Sequence, residues 1–175
     1  MTIQGALDRA DLLKPNMQSA AFKVGYLAQL DAIIHNELIS KHEIWNEYDS
    51  SKTYAAGERA ANDFIGYICI SAIDTAEDWN ADHWRPVKAL AVMDHFPDSF
   101  TQYNSDTDPG TELLVPFPYD EDVYTFWLFC KIDIQNQEIE KYTNDRLLFQ
   151  QAYESFSDWL TRTHMPISRA RQIRL

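Results

Sequence analysis

Apolar side chains recur every three or four residues through Val24, Leu27, Leu30, Ile34 and Leu38, the spacing that places one stripe on one face of an α-helix. Asn16 stands where it can cap that helix, and Asp31, His35, Asn36 and Glu37 fall largely off the stripe. The pattern is that of an ordinary amphipathic core helix. Gly25 weakens it by roughly 1 kcal/mol against alanine without vetoing it. Helical spacing returns twice nearer the other end, where neither glycine nor proline occurs from Tyr119 to Met165. Val123, Trp127, Cys130 and Ile134 form one stripe, and Phe149, Ala152, Phe156 and Leu160 another. Asp120, Glu121 and Asp122 put negative charge at the amino end of the first of these helices, where it complements the dipole. The polar run Gln135 to Asp145 marks the break, so a helical hairpin is expected to pack on the first helix.

Between these helical parts the period changes. Tyr48, Tyr54, Phe64, Tyr67, Trp79 and Trp84 recur at turn-punctuated intervals, and Gly57 and Gly66 stand where tight turns need a residue tolerant of positive φ. A compact β-meander built on aromatic packing is predicted there. Phe96 to Pro118 reads as a loop, with Pro97, Pro109-Gly110, Pro116 and Pro118 and the turn-formers Asn104, Ser105, Asp106 and Asp108. The expected fold is therefore α+β, a helical bundle with an inserted small aromatic β-module. Its parts are an N-terminal helical part of the bundle over 1–44, a β-module over 45–88, an extended loop over 89–118, a helical hairpin over 119–163 and a basic tail over 164–175.

At 175 residues and 45% apolar content the chain can bury a real core. No basic-then-apolar opening segment with a cleavage site is present and no apolar run approaches a membrane span, which predicts a soluble, unexported chain. Cys69 and Cys130 lack CxxC spacing and read as buried small hydrophobes suited to a reducing compartment. The formal charge of −12 repels phosphate and argues against sequence-specific nucleic-acid recognition. That charge is uneven. Arg162, Arg169, Arg171 and Arg174 occur without one acid from Arg162 onward, so setting those four aside takes the rest of the chain to −16. This tail is either a solvated terminus or a docking arm for an acidic partner.

The requirements of common chemistries are not met. The five glycines form no GxSxG elbow, phosphate loop or GxGxxG turn, and His35, His42, His83, His95 and His164 have no ligand spacing, so no enzyme, cofactor or metal is expected. Asp106-Thr-Asp108-Pro-Gly110-Thr-Glu112 lacks the acidic pattern of a calcium loop and reads as an Asx-rich turn. Asp74, Glu77, Asp78 and Asp82 lie beside Trp79 and Trp84, but linear spacing does not supply the paired geometry that glycoside hydrolysis needs.

Two resemblances add to this reading. Tyr48, Tyr54-Ala-Ala-Gly57-Glu58, Gly66-Tyr67-Ile68-Cys69 and Asp82-His83-Trp84-Arg85-Pro86-Val87 resemble the short chitin- and cellulose-binding module found in glycoside hydrolases and tailed-phage structural proteins. The likeness covers about a quarter of the chain and departs at Arg59-Ala60-Ala61-Asn62, where the family carries a Val-containing strand. It implies a glycan-facing set of Trp45, Tyr48, Tyr54, Trp79 and Trp84, although a module this small also needs its aromatics for its core. Further on, Val123-Tyr-Thr-Phe126-Trp127-Leu128-Phe-Cys130-Lys131, with Asn136, Glu138, Tyr142 and Phe149-Gln-Gln-Ala152-Tyr153-Phe156, is similar to the helical core of phage head-to-tail adaptors, including those of short-tailed, crAss-like phages. That similarity implies a structural virion protein: a homo-oligomeric neck ring, commonly a dodecamer, which joins the portal protein to other tail ring proteins. DNA would be a non-specific passenger, no membrane would be involved, and the host cytoplasm would be the place of assembly. The interface residues it implies are Phe126, Trp127, Arg162, Arg169, Arg171 and Arg174. The alternative implied by the first resemblance is a glycan-binding or decoration protein on the virion surface.

Overall fold

A computed structural model describes residues 1–89, 91, 94–97 and 99–167. It is a mixed α+β protein whose described residues form two compact units, one made of 1–41 with 99–162 and the other drawn from 42–97 with 163–167.

The first unit is helical: α1 (Ile3–Leu13), α2 (Ala20–Glu37), α3 (Asp120–Gln135) and α4 (Ile139–Thr163), with a single 3-10 turn at Ile39–Lys41. The chain before α2 thus holds a helix that the periodicity did not single out. Thr2 caps α1 by accepting from Gly5 N at 3.1 Å, and the loop at 109–111 accepts from the N–H groups of Ile3 and Gln4, satisfying donors that a helix start leaves free. Ser19, rather than Asn16, caps α2; Asn16 Oδ1 accepts instead from Gln18 N. Val24, Leu27, Leu30 and Ile34 are buried as their spacing predicts, but so is Asp31, which the stripe excludes. On α3 the buried face includes Val123, Tyr124, Leu128, Cys130 and Ile132, while Trp127 is half-buried and Ile134 exposed. The face is turned from the expected stripe because Tyr124 and Ile132, not Trp127 and Ile134, point into the core. The break before α4 spans only 136–138: Gln137 takes φ 60° and Glu138 N donates to Asp133 O at 2.9 Å, a left-handed helix stop of the kind glycine usually supplies. In the loop before α3, Asp108 Oδ1 accepts from Gly110 N and Asn104 Oδ1 from Asp106 N, the Asx turns expected there.

The second unit holds an antiparallel sheet in the order β1-β2-β3, from β1 (Arg59–Asn62), β2 (Ile65–Cys69) and β3 (Trp84–Ala89). Ala60 faces Tyr67 and Cys69 faces Trp84 on one side of the sheet; Ala61 faces Gly66 on the other, and a bulge lies between Gly66 and Tyr67. Gly57 adopts φ 95°, the left-handed turn expected of it. Gly66 does not turn. It lies buried within β2, where an added Cβ would come within 2.6–2.9 Å of the Trp45 ring, so its role is close approach rather than positive φ. The β1–β2 turn is made instead by Asp63 and Phe64, both at positive φ. Gly66→Ala should cost the module about 1–3 kcal/mol, because the buried indole has no free end that can swing away. Chemical denaturation followed by tryptophan fluorescence checks this, and an unchanged midpoint would place the indole elsewhere.

Candidate functional site

The aromatic module was the strongest candidate in the sequence, and five of its rings gather on one side of the sheet. Trp84 is buried with Ala60, Cys69 and Ile73, and Tyr48, Tyr54, Tyr67 and Trp79 pack against that cluster half-buried. Trp79 stacks on Trp84 with centroids 5.3 Å apart, and Tyr48 stacks on Tyr54 at 5.2 Å. Tyr48 turns an edge to Trp79 at 5.0 Å and to Trp84 at 5.7 Å. The hydroxyls are spent locally as well: Tyr48 Oη donates to Glu77 O at 2.8 Å, and Tyr54 Oη accepts from Asp49 N at 2.8 Å. Ring faces engaged with one another do not stack on a pyranose, which leaves, of the expected glycan-facing set, only the exposed part of Tyr48, Tyr54 and Trp79 to meet one.

Trp45 lies apart from that group, against Ala61 and Ala91 on the opposite side of the sheet. Arg59 and Lys88 stand over its ring, at 5.7 and 5.8 Å from the centroid. With 2% of Trp45 and 4% of Trp84 exposed, neither of these two expected glycan-facing residues presents a ring face to a ligand. The physical reason is that a small three-stranded sheet needs a large apolar residue on each side to exclude water. Tyr48, Tyr54 and Trp79 keep part of their surface. The acidic group beside them does not form a paired-carboxylate cleft: Glu77 faces His83 Nδ1 at 2.7 Å, and Asp74, Asp78 and Asp82 are exposed.

The helical unit places the interface candidates differently. Phe126 is half-buried and lines a cleft of about 350 Å³ with Pro118, Tyr119, Asp122, Leu148 and Ala152. Trp127 donates its Nε1 hydrogen to Tyr26 O at 2.7 Å and carries Lys131 over its face at 4.2 Å, so its indole nitrogen and one ring face are engaged within the unit. Arg162 is exposed in the last turn of α4, its Nε donating to Asp158 O. Arg169, Arg171 and Arg174 lie outside the described residues. Of the 25 residues of α4 only Phe156 and Leu160 are fully buried, while Ile139, Leu147 and Leu148 are exposed.

Polar groups in the interior were not legible as site residues. Asp31 is wholly buried and accepts from Tyr124 Oη at 2.5 Å, Tyr103 Oη at 2.9 Å and Leu114 N at 3.1 Å. Burial pushes its carboxyl up to about 6, against the lowering effect of those hydrogen bonds. His164, which fell in the expected tail, is buried in the β unit with Nε2 2.9 Å from Asp94 Oδ2, and Asp94 also accepts from Trp45 N. Both cysteines are buried and free, and burial pushes the Cys130 thiol up to about 11.

Among the described residues no group of three or more His, Cys, Asp or Glu could hold a metal ion, and no helix is long and apolar enough to cross a membrane. No family model, curated protein or solved structure matches this chain.

Proposed function

We propose that this chain is a structural assembly protein, a subunit of the ring in a phage neck that connects portal to tail and lets DNA pass. The observation that carries the assembly part is the exposure along α4. Ile139 is 69% exposed, Leu147 56% and Leu148 41%, on a helix that fully buries only two of its side chains. Large apolar side chains grouped on one helix favour a covered face over a solvated one. Phe117, 83% exposed at the start of the hairpin, adds to the same supply of interface side chains. The phage setting rests on the resemblance of Val123 to Lys131 and of Phe149 to Phe156 to adaptor helices, and the net charge suits a channel to which DNA does not adhere.

Cryo-electron microscopy of intact particles from the source tests this reading. The expected result is this sequence traced into rotationally symmetric density at the portal vertex, with Leu147 and Leu148 buried against a neighbouring chain. Density confined to the capsid or fibre surface would overturn it in favour of a glycan-binding or decoration protein. One observation favours that second reading: Tyr48, Tyr54 and Trp79 retain partial exposure on a single side of the β-module.

A further inference from the structure

The end of α1 meets the α3–α4 hairpin at a cluster that neither functional reading uses. Lys14, the residue that terminates α1, places Nζ 2.5 Å from Asp133 Oδ1 and 2.5 Å from Asp145 Oδ2. The Asp133 side chain is wholly buried, and the Phe129 ring lies against the ammonium with its centroid 4.7 Å from Nζ. One cation therefore faces two carboxylates, and Asp133 Oδ2 has no donor. Two neighbouring carboxylates withdrawn from water do not both carry charge cheaply, and a proton shared between Asp133 and Asp145 satisfies the orphaned oxygen. Burial pushes the Asp133 carboxyl up; the Lys14 hydrogen bond opposes this, and the neighbouring Asp145 reinforces it. Burial pulls Lys14 down, but its two carboxylate partners outweigh that, so the ammonium is its resting form.

We propose that Lys14 and Asp133 are the partners of an intramolecular isopeptide bond, with Asp145 as the catalytic residue that moves the protons. A lysine nitrogen hydrogen-bonded to a carboxyl oxygen is already close to the near-attack separation of about 3–3.5 Å from the carboxyl carbon. Nζ gives one proton to the Asp145 carboxylate, and its freed electron pair attacks Cγ of protonated Asp133. The N–C bond forms, the bond from Cγ to the hydroxyl breaks, and the hydroxyl leaves as water after taking a proton from Asp145. The second proton lost by Nζ then stays on Asp145. Nothing is oxidised or reduced, and no co-reactant is needed. Burial of the Asp133 side chain keeps bulk water away from the reacting carbon and favours its neutral acid, while the adjacent Asp145 carboxylate takes the proton that the resting ammonium must lose before it attacks. The product joins positions 119 residues apart and fastens α1 to α3 covalently, a use that suits a chain under mechanical load.

Intact-mass spectrometry of the purified full chain under denaturing conditions tests this. The expected mass is below that of the sequence by one water molecule, and tryptic digestion should give a branched peptide joining Lys14 to Asp133. Asp145→Asn and Lys14→Arg should each restore the full sequence mass while circular dichroism keeps its helical signal. A wild-type chain at full sequence mass, with Lys14 recovered in a linear peptide, would overturn the proposal and leave the cluster an ion pair. That wild-type result decides the question even where a variant does not fold. A branched peptide that persists in Asp145→Asn would remove Asp145 from its catalytic role.

Discussion

Tyr124→Phe should lower the stability of the helical unit by about 3–5 kcal/mol at neutral pH. The hydroxyl it removes does two jobs in the core. It donates to Asp31 Oδ1 at 2.5 Å and accepts from Val115 N at 2.8 Å. A buried N–H left without an acceptor costs about 1–3 kcal/mol, and a buried carboxylate deprived of its shortest donor costs a similar amount. The ring itself is retained, so lost packing contributes little.

The loss should also depend on pH, with a sign that follows from Asp31. Its folded pKa, about 6, lies above its ordinary value of 3.8, so the folded state holds the proton more tightly than the unfolded one. The group's unfavourable contribution is therefore absent below pH 3.8, grows as pH rises, and is complete above about pH 6. Removing the Tyr124 donor makes the ionised form still less favourable, so the variant should lose more stability at pH 7 than at pH 4. Urea denaturation of both proteins at the two pH values, followed by far-ultraviolet circular dichroism, measures this. A loss below about 1 kcal/mol, or an equal loss at both pH values, would show that the network does not support the core as described.

Trp84→Ala should unfold the β unit, at a cost of about 3–5 kcal/mol. Trp84 is 4% exposed, stacks on Trp79 and receives the edges of Tyr48 and Tyr54, so truncation removes the ring around which the others are arranged. A sheet of three short strands has little other apolar material to close over the cavity. The expected signature is loss of the near-ultraviolet aromatic signal with the helical far-ultraviolet signal largely kept. Trp79→Ala, at a half-buried position, should cost less and leave the module folded. Retention of the near-ultraviolet signal in Trp84→Ala would show that the other aromatics suffice as a core. The comparison also governs any test of glycan binding: a loss of binding on removing Trp84 reports unfolding, whereas a loss on removing Trp79 in a folded module reports a contact.

Much of the core face of α2 and of the module's aromatic packing was legible because it depends on local spacing. Val24, Leu27, Leu30 and Ile34 are buried as a 3.6-residue period requires, and Tyr48, Tyr54, Tyr67, Trp79 and Trp84 do converge. Where the reading failed, a nearby residue carried no local mark of its role. α1 holds buried Ile3, Ala6, Leu7 and Ala10, but two of those four are alanines, which give only a weak apolar stripe. The helix stop at Gln137 uses a left-handed residue without glycine, so the break appeared longer than it is. Gly66 looked like a turn because its actual constraint, the Trp45 ring pressed against it, comes from a residue far away in sequence.

The sequence by itself determined the class of element in α2, α3, α4 and the aromatic β-module and the apolar supply of both units, since periodicity, turn chemistry and helix-end charges act over a few residues. Only the tertiary structure decided which polar groups were drawn inside and which aromatics were closed off. Asp31 depends on Tyr103, Leu114 and Tyr124; Lys14 on Asp133 and Asp145; His164 on Asp94; and Trp45 on Gly66. Each of these partners lies at least 20 residues away along the chain. A polar residue off an apolar stripe is solvated by default, and only donors or charges delivered by a distant segment make its burial affordable.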